Sequence, residues 1–335
     1  MTPPVFIIAE AGVNHNGDWV LAKRLVDAAR SAGADAVKFQ TFQADLIVTP
    51  TAKKANYQMA TTTQGSQYEM LKKLELDVAA HQTLMAHCLQ AGIQFLSAPF
   101  DIPSITLLDQ LKVAMFKIPS GEITNLPYLR AIASHKKSVI LSTGMSTLKE
   151  VKSALDTLVK AGQSKGKILL LHCTTEYPAP FEEVNLRAML TLKKAFGLPV
   201  GYSDHTQGIA ISIAAVALGA SIIEKHLTLD KTMDGPDHKA SLDPQEFAEM
   251  VQAIRHVERS LGEGRKVPSA SEMKNIPIAR KSIVASNPIK KGDRFSEDNI
   301  TTKRSGSGLS PMLWDKVIGR RSKRAYQIDE DITLS

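Results

Sequence analysis

The stretch LPVGYSDHT at residues 198–206 has the form of a buried strand that ends in polar and ionisable side chains. A second stretch of the same form, ASIIEKH, follows at residues 220–226, after an Ala- and Ile-rich segment long enough for one crossover helix. This order of strand, helix and strand predicts parallel pairing, in which neighbouring strands lie about 4.8 Å apart. His205 and His226 would then lie at the same ends of adjacent strands, close enough to share one metal ion.

Side chains alternate between the two faces of a strand. Ser203 is therefore expected on the same face as His205, and Glu224 on the same face as His226. Asp204 is expected on the opposite face, so it is not counted as a metal ligand. Two unrelated histidines, one in a loop and one in a core, would show the same spacing, and the rest of the chain decides between the two interpretations.

Apolar strand candidates recur along the first 262 residues and alternate with helical patterns. Eight such strands predict an α/β fold of the (β/α)8 TIM-barrel type, in which active sites lie at the carboxyl ends of the strands. A doubly wound open sheet is the alternative, but it would lead us to expect a G-x-G-x-x-G or Walker A motif, and neither is present. The polar residues at the ends of the first six strands are Glu10, Lys38, Ser97, Lys117, Ser142 and His172.

The pattern changes after Gly262. We predict that residues 1–262 form the barrel, that residues 263–278 form a polar linker, and that residues 279–335 form a small β-rich domain. A piece of roughly 60 residues buries little core, so it is expected to lean on the barrel or on a second subunit. Within the barrel, the connection 43–76 is too long for a crossover alone and is expected to shape the substrate pocket.

The 335 residues carry a net charge of +7, and the basic excess lies in residues 264–335, which contain 15 Lys/Arg and 8 Asp/Glu. No aromatic-rich or Arg-rich motif accompanies it, so no nucleic-acid partner is expected. No apolar run approaches the roughly 20 residues of a membrane span, and a strand begins at Val5 without a signal sequence. The cysteines, Cys88 and Cys173, lie far apart, which suits a reducing compartment. A cytoplasmic protein without a membrane partner is expected.

Lysines and serines at the predicted strand ends indicate an anionic substrate. Lys38 and Lys117 follow buried strands, where a lysine either holds an anion or forms a Schiff base. Ser120, Ser142 and Ser203 are small hydroxyls close to glycines, where backbone N–H groups can approach a phosphate. A small phosphorylated substrate fits both sets, whereas a Schiff-base aldolase needs one lysine and no metal.

Three carboxylates are candidates for the chemistry. Glu10 and Glu224 are the best placed for proton handling or for orienting water, although either could instead be hydrogen bonded to a lysine or a histidine. Asp237 lies in the polar turn after the eighth strand, where it could bind substrate hydroxyls or form an Asx-type turn. The two histidines would leave coordination positions open, which suits a Lewis acid that binds substrate directly.

Taken together, these motifs closely resemble those of the sialic acid synthase family. The resemblance runs from about residue 4 to the end of the chain, and its C-terminal part is similar to the antifreeze-like (SAF) domain of that family. The matching motifs are AEAGVNHNG at 9–17, KFQT at 38–41, FKIPSGE at 116–122, LSTGM at 141–145, GYSDHT at 201–206, EKH at 224–226, GPD at 235–237, IKKG at 289–292 and TKR at 302–304.

The resemblance implies an enzyme that condenses phosphoenolpyruvate with an N-acylated mannose-type sugar to give a nine-carbon 2-keto acid and phosphate. It implies a divalent metal, typically Mn²⁺ with Mg²⁺ or Co²⁺ as alternatives, bound by His205 and His226. Arg304 would reach the sugar from the partner subunit of a domain-swapped homodimer. The residues implied for phosphoenolpyruvate are Lys38, Lys117, Ser120, Ser142 and Ser203, and those implied for the sugar are Gln40, Tyr177, Asp237 and Arg304, with Glu10 beside them.

Departures from the family pattern indicate which acceptor sugar is expected. Ala98 stands where members that make N-acetylneuraminate carry a threonine, and Ser305 replaces their proline. Residues 119–127 and 174–180 resemble the branch that makes N,N'-diacetyllegionaminate from 2,4-diacetamido-2,4,6-trideoxymannose, so this reaction is expected. An N-acetylneuraminate synthase acting on N-acetylmannosamine and a metal-dependent pyruvate aldolase are the enzymatic alternatives. A carbohydrate- or ice-binding module on an inert barrel would leave the two histidines without a purpose.

Overall fold

The computed structural model describes residues 3–62 and 65–334, and within these the chain divides into two compact units, residues 1–262 and 263–335. Residues 1–2 of the predicted barrel, residues 63 and 64 of the predicted pocket connection, and residue 335 of the predicted C-terminal domain lie outside the described residues. No helix in the described part of the chain is long and apolar enough to cross a membrane.

Eight parallel strands form the first unit, in the spatial order β3-β2-β1-β8-β7-β6-β5-β4. The strands at the two edges of this sheet, β3 and β4, lie in contact, so the barrel is nearly closed and the prediction of a (β/α)8 barrel is confirmed. Tyr128 bridges this seam, since its hydroxyl donates to the carbonyl oxygen of Pro99 at 2.8 Å. The strands are β1 (Phe6–Gly12), β2 (Ala36–Thr41), β3 (Gln94–Pro99), β4 (Met115–Ile118), β5 (Ser138–Ser142), β6 (Ile168–Cys173), β7 (Val200–Asp204) and β8 (Ile222–His226).

Amphipathic helices cover the outside of the barrel. The helix that follows β5 is representative: Thr147 and Glu150 form a capping box at its start, and its apolar residues recur at helical spacing on one buried face. The helices of this unit are α1 (Trp19–Ser31), α2 (Ala44–Ile47), α3 (Asn56–Thr61), α4 (Gln67–Lys72), α5 (Val78–Ala91), α6 (Ile102–Gln110), α7 (Leu126–Ser134), α8 (Leu148–Lys160), α9 (Ala188–Phe196), α10 (Ala210–Ala217) and α11 (Pro244–Ser260).

The barrel interior is layered because inward side chains recur at every second position of each strand. One layer is apolar and contains Ile8, Leu96, Ile140 and Leu171, among others. The next inward position along several strands is ionisable or carries a hydroxyl group. The interior therefore changes from apolar to polar within one layer, at the carboxyl ends of the strands.

The long connection after β2 contains α2, α3 and α4. A small apolar cluster packs it against the barrel mouth, with Val13, Phe42, Met70 and Leu74 buried at its centre. This burial explains why the connection is ordered into short helices, since a structureless segment of that length would leave backbone groups unpaired.

The second unit contains the antiparallel pair β9 (Ser282–Ala285) and β10 (Ile300–Lys303), the short helix α13 (Trp314–Val317) and its own apolar core. The segment that was predicted to be a polar linker is partly helical, because α12 (Ala270–Ala279) takes up much of it. Ser269 and Glu272 form a capping box that starts this helix. No residue of this helix is buried, so it has no apolar face that packs against the rest of the unit. This explains why its sequence shows no helical periodicity of apolar residues.

Candidate active site

Two lysines and two carboxylates form ion pairs at the carboxyl ends of the strands. The Lys38 Nζ lies 2.6 Å from Glu10 Oε2, and the Lys117 Nζ lies 2.9 Å and 3.0 Å from the two oxygens of Glu224. Lys38 and Glu224 approach to 3.8 Å, so the two pairs form one cluster. All four side chains are at most 5 % exposed. The cluster is neutral when all four groups are charged.

The two carboxylates of the cluster differ in their pKa. Burial alone would raise the pKa of Glu224, but Lys117, Lys38 and the Ser203 hydroxyl outweigh it and lower this pKa to about 2. Burial raises the pKa of Glu10, and Lys38 opposes that rise only in part. Glu224 is therefore an anion that holds the lysines, whereas Glu10 is the carboxylate of the two that accepts a proton more readily.

The two lysines are also tuned by burial. Burial lowers the pKa of Lys117 more than Glu224 raises it. For Lys38, burial acts in the same direction, but Glu10 and Glu224 outweigh it and raise the pKa. Lys38 therefore holds its positive charge more strongly than Lys117, and Lys117 depends on Glu224 for its charge.

The predicted metal histidines lie side by side, with ring centroids 5.5 Å apart. Nδ1 of His205 donates to the carbonyl oxygen of Thr174 at 2.6 Å, which leaves Nε2 unprotonated. Nδ1 of His226 is buried and has no hydrogen-bond partner among the described residues. Burial lowers the pKa of His205 to about 4 and that of His226 well below its usual value, so both rings are neutral.

Neutral imidazoles with a free nitrogen fit a divalent ion, whose bonds to histidine nitrogen are about 2.1 Å long. Within residues 3–62 and 65–334, no group of three or more His, Cys, Asp or Glu side chains is arranged to hold a metal. An ion held by His205 and His226 would therefore complete its coordination with water or substrate. The metal assignment stays a prediction.

Three serines and one glycine surround the Lys117 side of the cluster. Ser203 Oγ donates to Glu224 Oε1 at 2.9 Å, and Ser142 is buried at the end of β5. Ser120 Oγ accepts from the Gly144 backbone N–H at 3.0 Å. A Cβ atom on residue 144 would lie 2.8 Å from Ser120 Oγ and 2.4 Å from the Thr175 hydroxyl, so any larger residue there would displace these hydroxyl groups. Hydroxyls and a close backbone amide are the groups that bind a phosphate.

A cavity of about 300 Å³ opens beside the histidines and is lined in part by Gln40, Tyr177, His226 and Asp237. The Tyr177 ring lies 4.2 Å from the His205 ring, centroid to centroid. Gln40 Nε2 donates to Glu10 Oε1 at 3.4 Å, and Asp237 Oδ2 lies 3.8 Å from His226 Nδ1. Burial raises the pKa of Asp237 to about 7. A cavity of this size suits a small, partly polar ligand.

Some predicted residues lie elsewhere. Arg304 follows β10 in the second unit and is exposed, and its contact with a sugar stays a prediction. Ser97 and His172 end strands but face the helices: Ser97 Oγ lies 2.6 Å from Thr41 Oγ1, and His172 Nε2 donates to a backbone carbonyl. Each directly follows an inward-facing residue of its strand, so its own side chain points outward.

Sequence reasoning missed one side chain of the site. Cys173 faces the interior, with its Sγ 3.2 Å from Ser120 Oγ. Strand alternation could have shown this, because Leu171, two positions earlier, belongs to the interior layer. Tyr57, in the connection that was expected to shape the substrate pocket, lines the cavity, with its ring 5.1 Å from that of Tyr177.

A buried ion pair lies behind the two histidines, on the outer face of the barrel wall. Asp204 Oδ2 and Lys225 Nζ are 3.1 Å apart and fully buried, which confirms that Asp204 points away from the site. Asp204 also accepts from Ser212 Oγ at 2.6 Å and from the backbone N–H and hydroxyl of Thr206. Each member of the pair directly precedes one of the two histidines, so the pair fixes β7 against β8 at the point where the imidazoles emerge.

The loop after β1 is tied to the loop after β8. Nδ2 of Asn14 donates to the Leu227 carbonyl and to Ser241 Oγ, both at 2.9 Å. His15 is fully buried, and its Nδ1 accepts from the Gly17 backbone N–H at 3.0 Å. Burial lowers the pKa of His15 to about 4, so this ring is neutral in the folded protein. These contacts hold the turn that carries Asp237.

Comparisons with known proteins match both parts of the chain to known families. Residues 25–266 match the NeuB family and residues 280–335 match the SAF domain. The chain is 57 % identical to the N,N'-diacetyllegionaminic acid synthase of Campylobacter jejuni, over 97 % of each chain. It is 50 % identical to the synthase of the same name from Legionella pneumophila, over 94 % of this chain and 90 % of that one.

A solved structure is also similar, that of N-acetylneuraminic acid (sialic acid) synthetase from Leptospira borgpetersenii in complex with citrate. Its TM-score is 0.71 at 37 % identity, and the match covers 82 % of this chain and 90 % of that one. The fold, the order of the motifs and the full-length similarity agree. The chain therefore belongs to the NeuB family and carries a SAF domain at its C-terminal end.

Proposed function

We propose that this enzyme condenses phosphoenolpyruvate with 2,4-diacetamido-2,4,6-trideoxymannose and water to give N,N'-diacetyllegionaminate and phosphate. The observation that carries this proposal is the neutral Lys–Glu cluster beside two neutral imidazoles at one barrel mouth. The most similar relatives named above, both N,N'-diacetyllegionaminic acid synthases, support the choice of sugar.

The lysine and serine side chains would bind phosphoenolpyruvate. Lys38 and Lys117 each have three N–H donors, so each would donate to the anionic groups of the substrate while keeping its carboxylate partner, and charge-assisted hydrogen bonds of this kind are the strong ones. Ser120, Ser142 and Ser203 add hydroxyl groups around the phosphate. Since these groups are held in place before the substrate arrives, they stabilise charge on the phosphate without reorganising.

His205 and His226 would hold the divalent metal, with Mn²⁺ as the proposed ion and Mg²⁺ or Co²⁺ as alternatives. The chemistry supplied by such an ion is polarisation of the aldehyde oxygen of the open-chain sugar. Gln40, Tyr177 and Asp237 would orient the sugar so that its aldehyde carbon faces C3 of phosphoenolpyruvate.

In the reaction, C3 of phosphoenolpyruvate attacks the aldehyde carbon and positive charge develops at C2. Water adds at C2 and gives up a proton to Glu10, whose pKa burial has raised, and Glu10 passes this proton to the alkoxide oxygen formed from the aldehyde. The tetrahedral intermediate then loses phosphate, whose charge the two lysines stabilise. Glu224 stays ionised throughout and holds Lys117 in position.

The test is phosphate release with Mn²⁺, measured for the wild-type enzyme and for His205→Ala. We expect the variant to lose turnover and to bind Mn²⁺ much more weakly, as measured by electron paramagnetic resonance, while its circular dichroism spectrum is unchanged. His87→Ala, which removes a histidine paired with Asp27 on the outer surface, is the matched control. Full turnover by His205→Ala would overturn the metal assignment.

Two alternatives are distinguished by substrate. Faster turnover with N-acetylmannosamine than with the trideoxy sugar would indicate an N-acetylneuraminate synthase. The lowered pKa of Lys117 would also suit a Schiff base, as in an aldolase, although its ion pair with Glu224 opposes that role. Condensation of pyruvate in place of phosphoenolpyruvate would support the aldolase.

We further propose a cytoplasmic, domain-swapped homodimer in which Arg304 reaches the sugar in the neighbouring subunit. The basic excess of residues 264–335 supports this, because it would cover an acidic substrate. Mixing inactive His205→Ala with inactive Arg304→Ala should restore activity, since mixed dimers would contain one complete site. If Arg304 acts within its own subunit, mixing restores nothing.

A further inference from the structure

One side of the cavity beside the histidines is apolar. Val13, Phe42, Met70 and Leu74 are buried there in a single cluster, and the partly buried Ile47 and Leu71 pack against it. All six residues line the cavity, and we call them the apolar wall. None of these side chains can donate or accept a hydrogen bond of ordinary strength.

The other side of the same cavity is polar. Gln40, His226 and Asp237 lie there, next to the imidazole pair and the Lys38–Glu10 pair. If the aldehyde end of the sugar binds at the imidazoles, its far end, C4 to C6, is left for the rest of the cavity, which includes the apolar wall. Gln58 and Gln67 also line the cavity, and a glutamine amide is complementary to the N–H and C=O of an acetamido group.

The carbonyl oxygen of the Gln58 side chain is already occupied, because it accepts from the Ala55 backbone N–H at 3.0 Å. The apolar wall itself offers nothing to a hydroxyl group. A hydroxyl buried there would lose its hydrogen bonds to water without replacement, whereas a methyl group would gain contacts. The chemistry of the wall thus distinguishes a deoxy carbon from a hydroxymethyl group.

We propose that the apolar wall sets the specificity of this enzyme by receiving the C6 methyl group of a 6-deoxy sugar and disfavouring a C6 hydroxyl group. This inference rests on the proposed function and names the determinant of its acceptor. Apolar pockets reject a close analogue with one extra hydroxyl by roughly 100-fold, and we expect a preference of that order in kcat/KM.

The first experiment uses the full-length wild-type enzyme and two acceptors that differ by one oxygen atom. These are 2,4-diacetamido-2,4,6-trideoxymannose and its 6-hydroxy counterpart, 2,4-diacetamido-2,4-dideoxymannose, each assayed for phosphate release with phosphoenolpyruvate and Mn²⁺. A kcat/KM about 100-fold lower for the 6-hydroxy sugar supports the wall. An equal kcat/KM for the two sugars would show that the apolar wall does not set the specificity, and it would leave the proposed function intact.

The second experiment changes the wall. Leu71→Asn puts an amide at a partly buried position, so it should fold, and we expect it to reduce the preference for the 6-deoxy sugar at least fivefold. Leu89→Asn is the matched control, because Leu89 is 83 % exposed on α5 and does not line the cavity. An unchanged preference in a folded Leu71→Asn enzyme counts against the wall. Release with N-acetylmannosamine alone, and with neither diacetamido sugar, would overturn both the wall and the proposed function.

Discussion

Lys225→Met tests whether the ion pair behind the histidines is essential to the barrel. Methionine is close to lysine in length and fills the same space, but it leaves the Asp204 carboxylate buried without its cation. Removing one partner of a buried pair costs about 3–5 kcal/mol. Asp204 keeps its hydrogen bonds from Thr206 and Ser212, which offset part of that loss, so we expect the lower end of this range, ~3 kcal/mol.

The double variant Asp204→Asn/Lys225→Met removes both charges and keeps an acceptor for the Thr206 N–H. It should recover all but about 1 kcal/mol, the remainder being the hydrogen bond that Lys225 Nζ donates to the Thr206 carbonyl. At 2–4 °C per kcal/mol for a domain of this size, the single variant should melt roughly 6–12 °C below wild type.

The assay is thermal unfolding of the metal-free protein, followed by circular dichroism and by urea titration. Lys152→Met is the control, because Lys152 pairs with Asp156 on the exposed face of α8, where an ion pair contributes little. If Lys225→Met melts within error of wild type, the pair does not hold β7 against β8. A double variant no more stable than the single one would contradict the charge argument.

Two further predictions concern the site itself. His15 is neutral when folded, with a pKa of about 4 against 6.5 when exposed, so the unfolded chain takes up its proton first as the pH falls. The contribution of His15 to the free energy of unfolding is therefore intact above pH 6.5 and falls by about 2 kcal/mol at pH 5. His15→Asn keeps an acceptor for the Gly17 N–H, and urea unfolding of this variant should show a smaller loss of unfolding free energy between pH 7.5 and pH 5 than wild type. Gly144→Ala places a methyl group against Ser120 Oγ and should raise the KM for phosphoenolpyruvate at least tenfold. Gly166→Ala is the control, because the nearest atom to the new methyl group would be 4.0 Å away, and it should leave this KM unchanged. Equal KM values for the two variants would show that Gly144 is not part of the phosphate site.

Strand parity predicted correctly which face of its strand each of His205, Asp204 and Glu224 occupies. These faces follow from the position of the residues relative to one another along two strands, because alternation is a property of the backbone. The same rule, applied to β6, would have chosen Cys173 over His172. Local sequence patterns thus gave the barrel and its inward side chains, and the family resemblance supplied the roles that the geometry alone does not assign.

Other features depend on distances that no local pattern encodes. Glu224 looks like any strand-end carboxylate in the sequence, and its low pKa arises because two lysines from other strands meet it. The apolar wall joins residues from just after β1 to just after α4, and it forms only when the long connection folds over the mouth. Helix α12 was missed because its capping box, rather than an apolar periodicity, is its signal.

The seam between β3 and β4 has a consequence for how the barrel moves. In the order of the strands, β7 and β8 lie at the middle of the sheet, as far as possible from its two edges. Local opening should therefore begin at β3 and β4, where Tyr128 provides a bridge, and amide hydrogens there should exchange faster than those of β7 and β8. Local opening at this seam should therefore disturb the spacing of the two imidazoles last.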